Sequence, residues 1–160
     1  ASFADLDIEV GEILEAKQHP NAEKLLVEKV KLGNGEIQLV SGIAKFYKPE
    51  EIIGKRILVL RNISPAKLRG VESQGMLLIC ESKEGNVEII SPNVVVGTKI
   101  YAEGQQPAAK SQLPKPQISV NDFFKLKLEI KDHFGYAEGK MLFAGNERIK
   151  TNKIKEGRIT

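Results

Sequence analysis

A mostly antiparallel β fold, built as a small barrel, is what this chain predicts. At least five short apolar runs crowd into roughly the first hundred residues, and residues that favour turns separate them. Composition then shifts: Gly104 to Pro116 carries three prolines and little apolar content, which marks a connector between the barrel and whatever follows.

The elements follow in order. Ile8, Val10, Ile13 and Leu14 around Gly11 predict a strand with a bulge at the glycine. His19-Pro20-Asn21-Ala22 makes a turn, because Pro20 fixes its own φ and restricts the residue before it. Leu25 to Leu32 alternates as a strand does, and Gly33-Asn34-Gly35 folds it back onto Glu36 to Ser41. Pro49 to Gly54 forms one helical turn, opened by proline and ended by glycine. Lys55 to Arg61 is a strand with Ile57, Val59 and Arg61 on one side and Leu58 and Leu60 on the other.

Met76 to Cys80 is the next strand; Glu84-Gly85-Asn86 turns it into Val87 to Ile90, and Val94 to Tyr101 follows. Beyond the connector, Asn121 or Asp122 caps a helix running through Lys131, with Phe123, Leu126 and Ile130 on one face. Tyr136 to Phe143 returns to strand character. This last segment is too short for a core of its own and is expected to pack on the barrel.

Composition is that of a globular protein, 41% hydrophobic and 28% charged. No apolar run has the length of a membrane span, the start lacks the regions of a signal peptide, and Cys80 is the lone cysteine, so the cytoplasm is the expected location. Ala1 lies in a segment leading into a strand, which suggests an excised fragment. The net charge is only +3, but it is segregated. Residues 1–23 hold six acids against one lysine, residues 45–69 seven cations against two acids, and residues 106–160 eleven cations against six acids. Such a pattern suits a protein that turns one face to a polyanion.

Between two strands lies Asn62 to Met76, with Lys67, Arg69, Ser73, Gln74 and two glycines. Cations neutralise phosphates and small polar side chains bond sugars or base edges. Other chemistry is poorly supplied. Two histidines and one cysteine fall short of a zinc site, no nucleophile–base set is evident, and no phosphate-loop fingerprint occurs. A catalytic role, a metal and a cofactor are all unexpected. Aromatic residues make up only 6%, which argues against a dedicated single-strand binder.

Three motifs in this order, His19-Pro20-Asn21-Ala22-Glu23-Lys24-Leu25, Ser41-Gly42-Ile43 and Pro65 to Met76, resemble the tRNA-binding domain of the endothelial monocyte-activating polypeptide II family. Leu113 to Thr160, with Lys140-Met141-Leu142-Phe143 and Gly157-Arg158-Ile159, resembles the C-terminal extension of its eukaryotic members. The resemblance implies an OB-fold of five strands over residues 1–105 and an α+β extension over 106–160 that mimics a dimer interface, hence a monomer. It implies a non-catalytic module appended to an aminoacyl-tRNA synthetase (methionyl, lysyl or tyrosyl), raising its hold on tRNA without sharp discrimination. Cytokine-like signalling after release, or assembly with other synthetases or scaffold proteins, are the alternatives.

The implied contacts with RNA are Lys67 and Arg69 to phosphates, Ser73 and Gln74 to ribose or base, Gly75 for close backbone approach, and Met76, which could equally begin a buried strand. Arg61 and Lys45 join them because strands lead both towards the glycine loop. Two departures stand out. Glu9 replaces the arginine that opens the heptapeptide associated with leukocyte attraction, here Glu9 to Glu15. The extension's tryptophan is absent, leaving its role to Phe123 or Phe124.

Overall fold

The structure, a computed structural model, describes residues 1–105 and 115–160; most of the Gly104–Pro116 connector lies outside them. The barrel part begins with a 3-10 turn at Phe3–Asp5 and then β1 (Ile8–Gln18), β2 (Leu26–Leu32) and β3 (Gly35–Ser41). Next come α1 (Pro49–Ile52), β4 (Arg56–Leu60), a small hairpin of β5 (Ala66–Leu68) and β6 (Val71–Ser73), β7 (Met76–Glu81), β8 (Val87–Ile89) and β9 (Ile100–Ala102). The remainder forms α2 (Val120–Phe124), β10 (Leu128–Lys131), β11 (Phe134–Ala137), β12 (Lys140–Ala144), β13 (Glu147–Arg148) and β14 (Gly157–Ile159).

The mostly antiparallel β expectation holds. The strands of one large sheet run β13-β12-β11-β10-β14-β7-β4-β1-β2-β3, with β8 added to β7 and β9 to β12. At one end this sheet curls so that β3 meets the segment entering β7: the Gln74 N–H donates to Gln38 O (2.9 Å), and the Gln38 N–H to Gln74 Oε1 (2.7 Å). The order β1-β2-β3, α1, β4, β7 is consistent with an OB-like barrel.

Strand β4 is buried on both faces, because it divides two cores. Ile57 and Val59 join Ile13, Leu26, Val30, Leu32, Leu39, Ile43 and Ile52 inside the barrel. Leu58 and Leu60 face a second core, shared with Phe123, Leu126, Leu128, Ile130, Leu142, Ile149 and Ile159 from beyond the connector. The C-terminal segment thus packs on the barrel, as its size requires. It is also stitched there: β14 pairs with β7 and β12 with β9, and the Glu88 carboxylate accepts the N–H groups of Asn152, Lys153 and Ile154 at 2.7, 3.0 and 2.8 Å.

Five local expectations are corrected. The bulge in β1 falls between Ile13 and Glu15, while Gly11 pairs regularly with Ile57; its missing side chain is explained by Val30 Cγ1, which a Cβ would approach to 2.8 Å. Val94 to Lys99 is irregular, and the strand begins only at Ile100. The helix after the connector ends at Phe124 and is capped by the Ser119 hydroxyl, not by Asn121 or Asp122. Leu128 to Lys131 is a strand, because Leu126, Leu128 and Ile130 alternate into the shared core. The stretch around Lys67 and Arg69, read as a loop, is a two-stranded hairpin.

Candidate nucleic-acid interface

The hairpin β5–β6 stands apart from the large sheet. Its residues Ala66 to Gly70 are all exposed, and Arg69 and Gly70 form its tip with φ of 53° and 91°. Positive φ suits Gly70 but is unusual for arginine. Lys67 within β5 and Arg69 at the tip are thus both solvent-facing on one hairpin.

That tip is tethered to the loop between β1 and β2. His19 is buried, and its Nδ1 accepts the Asn21 N–H at 2.9 Å. An accepting Nδ1 leaves the proton on Nε2, which lies 2.9 Å from Leu68 O and donates to it. The Arg69 guanidinium adds a bond from Nη2 to Asn21 O at 3.3 Å. The His-Pro-Asn turn thus serves as a mount for the hairpin. Lys24 and Lys45 are exposed beside the same loop, where the Ala44 N–H donates to Lys24 O at 3.2 Å. Lys24 escaped the sequence reading as a cation of this surface, though it lies within the first motif.

The other expected contacts divide. Gln74 is exposed at the seam with Gln38. Ser73 is buried and its hydroxyl is committed within the protein: it accepts the Val40 N–H at 3.0 Å and donates to Gly75 O at 2.9 Å. The bond to Val40 ties the hairpin's base to β3. Gly75 allows close approach, but of the chain to itself, since a Cβ there would lie 2.9 Å from Leu60 O. Met76 opens β7 opposite Leu60 and packs half-buried against the shared core.

Arg61 takes part in an ion-pair cluster. Its Nη1 meets Glu9 Oε1 at 3.1 Å, and Lys99 Nζ lies 2.8 Å from both Glu9 Oε1 and Asp7 Oδ1. Burial pushes the Glu9 carboxyl up, yet the Lys99 hydrogen bond, the Gly33 N–H and the two cations outweigh it and hold the group below its ordinary range. Glu9 is 3% exposed, so the heptapeptide it opens is largely built into β1. Phe123 is buried in the shared core and Phe124 is exposed. Burial, then the charge of Glu88, pushes the Cys80 thiol up to about 11, which makes it a poor nucleophile.

A projecting cationic hairpin mounted beside an OB-like barrel is equipment for a polyanion. Residues 8–99 match the family model described as "Putative tRNA binding domain". The chain belongs to this tRNA-binding domain family. It is 50% identical over 100 residues to the methionine–tRNA ligase of Pyrococcus horikoshii, a match covering 61% of this chain and 14% of the enzyme. To the methionine–tRNA ligase of Treponema denticola it is 32% identical over 163 residues, covering 94% of this chain and 21% of the enzyme. The tRNA-binding domain thus spans about a fifth or less of these relatives.

Among solved structures, the C-terminal domain of Plasmodium vivax p43 superimposes with a TM-score of 0.85 at 27% identity, covering 98% of this chain and 97% of that one. A MetRS related protein from Pyrococcus horikoshii gives 0.60 at 37% identity, covering 62% and 93%. The likeness to p43 includes the segment beyond the connector, as the resemblance to the longer, extended family members implied. Among the described residues no helix is long and apolar enough to cross a membrane.

Proposed function

We propose that this domain raises the tRNA affinity of an aminoacyl-tRNA synthetase of methionyl type, holding tRNA by shape and backbone without sharp discrimination among tRNAs. The observation that carries the reading is the tethered hairpin, which presents Lys67 and Arg69 on a fixed mount beside Lys24 and Lys45. Fixed cations meet phosphates without first losing the freedom of a floating loop. Arginine can grip two phosphate oxygens at once, and a single bond to Asn21 O leaves most of the Arg69 guanidinium available. Double-stranded RNA offers side chains mainly its backbone and shallow groove, which fits a surface of cations and amides.

The test is a titration with mixed tRNA at several salt concentrations. Affinity must fall steeply as salt rises, because bound phosphates release counterions. Replacing Lys67 and Arg69 together with alanine weakens binding to all tRNAs alike and lowers the salt slope by about 2. Unchanged affinity in the double variant, or no tRNA binding at low salt, refutes the placement.

A further inference from the structure

The chain has six phenylalanines and three tyrosines, and four of them meet on one sheet face. Tyr101 in β9, Phe134 and Tyr136 in β11 and Phe143 in β12 alternate with small or apolar residues that are buried in the shared core, such as Ala102, Ala137 and Leu142. Alternation therefore turns the four rings outward. Register sets them side by side: Phe143 lies opposite Tyr101 on one side and Arg148 on the other, and Tyr136 lies opposite Met141. Each ring is half-buried, and none belongs to either core.

The rings are ordered by their neighbours. Tyr101 and Phe143 stack with centroids 5.5 Å and planes 19° apart, and the Tyr101 hydroxyl donates to Gly145 O at 2.7 Å. The Arg148 guanidinium lies 4.0 Å from the Phe134 centroid and 5.6 Å from that of Tyr136, and its Nη2 donates to the Tyr136 hydroxyl at 3.1 Å. Rings and a planar cation held in advance lose little freedom when a flat ligand stacks on them.

Charge decides what the ligand is. Lys131 and Lys150 flank Phe134 in register, and Arg158 lies opposite Glu129. Together with Arg148 they outnumber the acids that share their rows, Glu129 and Glu103. Glu129 is met by Lys127 and Lys131, 3.5 Å away in each case, and the Glu103 carboxylate accepts the Met141 N–H at 2.9 Å. Arg148 and Lys150 are left without a carboxylate partner among the described residues. An apolar protein surface laid here would strip water from unpaired cations at a cost. Bases joined by phosphates satisfy both the rings and the cations.

We infer that this face is a second contact for RNA, where unpaired bases stack on the Tyr101–Phe143 pair and on the Arg148 plane while Lys150 meets phosphate. The inference rests on the tRNA reading above, and its strands belong neither to the hairpin nor to β1–β3. Every base has a π-face, so such stacking tolerates any sequence, which fits a module without sharp discrimination.

The experiment is an NMR titration of the isotopically labelled chain with hexaadenylate, hexauridylate, an abasic hexamer of the same backbone, tRNA, and an acidic peptide of alternating aspartate and leucine. The expected result is that the ring signals of Tyr101, Tyr136 and Phe143 move with both base-bearing hexamers and with tRNA, but not with the abasic hexamer or the peptide. That comparison is read on the unaltered chain and does not depend on a variant folding. Phe143→Leu keeps an apolar side chain in β12 and should weaken both hexamers about tenfold, read at the Tyr101 and Tyr136 signals, with an unchanged salt slope. Lys150→Ala should lower that slope by about 1. Intact tRNA binding with these ring signals unmoved by the hexamers, or moved equally by the abasic one, overturns this inference and leaves the tRNA reading standing. Movement with the peptide alone also overturns it and gives the face to a protein. Binding of neither tRNA nor hexamer overturns both readings.

Discussion

At the scale of single residues, two side chains sit where local stability would not place them. Arg69 occupies the left-handed region, which costs a non-glycine residue on the order of 1 kcal/mol. Asparagine tolerates that conformation better and is favoured in tight hairpin turns. Arg69→Asn should therefore raise the unfolding free energy read in urea slightly, by about 0.5 kcal/mol net of the lost bond to Asn21 O, while tRNA affinity falls. A variant that gains stability and binds as before would remove Arg69 from the interface. Glu28 is the second case. It is 1% exposed, accepts the Ser41 hydroxyl at 2.7 Å through Oε2, and among the described residues has no partner for Oε1. Burial raises its carboxyl from 4.5 to about 8 despite Ser41. The folded chain keeps that proton until about pH 8, whereas the unfolded chain releases it near 4.5. Stability thus falls as pH rises through this window, by at most roughly 5 kcal/mol, and levels off above it. Glu28→Gln should flatten the dependence and gain most at alkaline pH. Urea unfolding at pH 5 and 8.5 reads both effects, and an equal slope in the two proteins would sink the account.

At the scale of elements, the hairpin depends on its mount. His19→Ala deletes the donor to Leu68 O and the acceptor of the Asn21 N–H, two bonds at a buried site worth about 1 kcal/mol each. The expected outcome is faster amide exchange across β5 and β6 and weaker tRNA binding with an unchanged salt slope, since no cation is lost. A reduced slope would mean that His19 itself meets phosphate. Only part of this arrangement is legible in the sequence. Pro20 and the Gly33-Asn34-Gly35 turn announce themselves through backbone restriction and freedom, so β1 to β3 are readable. Arginine at the tip of β5–β6 hides its hairpin, because the turn lacks the glycine or asparagine normally found first. Phe123, Leu126 and Ile130 fit a helical face, yet Leu126, Leu128 and Ile130 fit a strand equally well. The shared core decides for the strand, and no local pattern contains that core. The commitment of Ser73 to Val40 and of Arg61 to Glu9 is likewise a long-range fact: each pair is more than thirty residues apart.

At the scale of the whole molecule, the second core joins the C-terminal segment to the barrel, and association is the property that tests what this joint does. Leu58, Leu60, Leu78 and Ile100 on the barrel are covered by Phe123, Leu126, Leu128, Ile130, Leu142, Ile149 and Ile159. Burying a large apolar side chain contributes roughly 1.5 to 3 kcal/mol, so the covering residues together contribute on the order of 10 kcal/mol. That equals the whole stability of an ordinary domain. A chain cut after residue 105 would also leave β7 without β14 and β9 without β12, exposing backbone groups that seek a partner. The full chain, with that surface already covered, should sediment as a monomer at all accessible concentrations. The shortened chain should either dimerise through the uncovered face or lose cooperative unfolding. Sedimentation velocity on both, with thermal melts in parallel, separates the cases. A stable dimer of the full chain, or a shortened chain that is monomeric and unfolds cooperatively, would show that the C-terminal segment does not stand in for a second subunit.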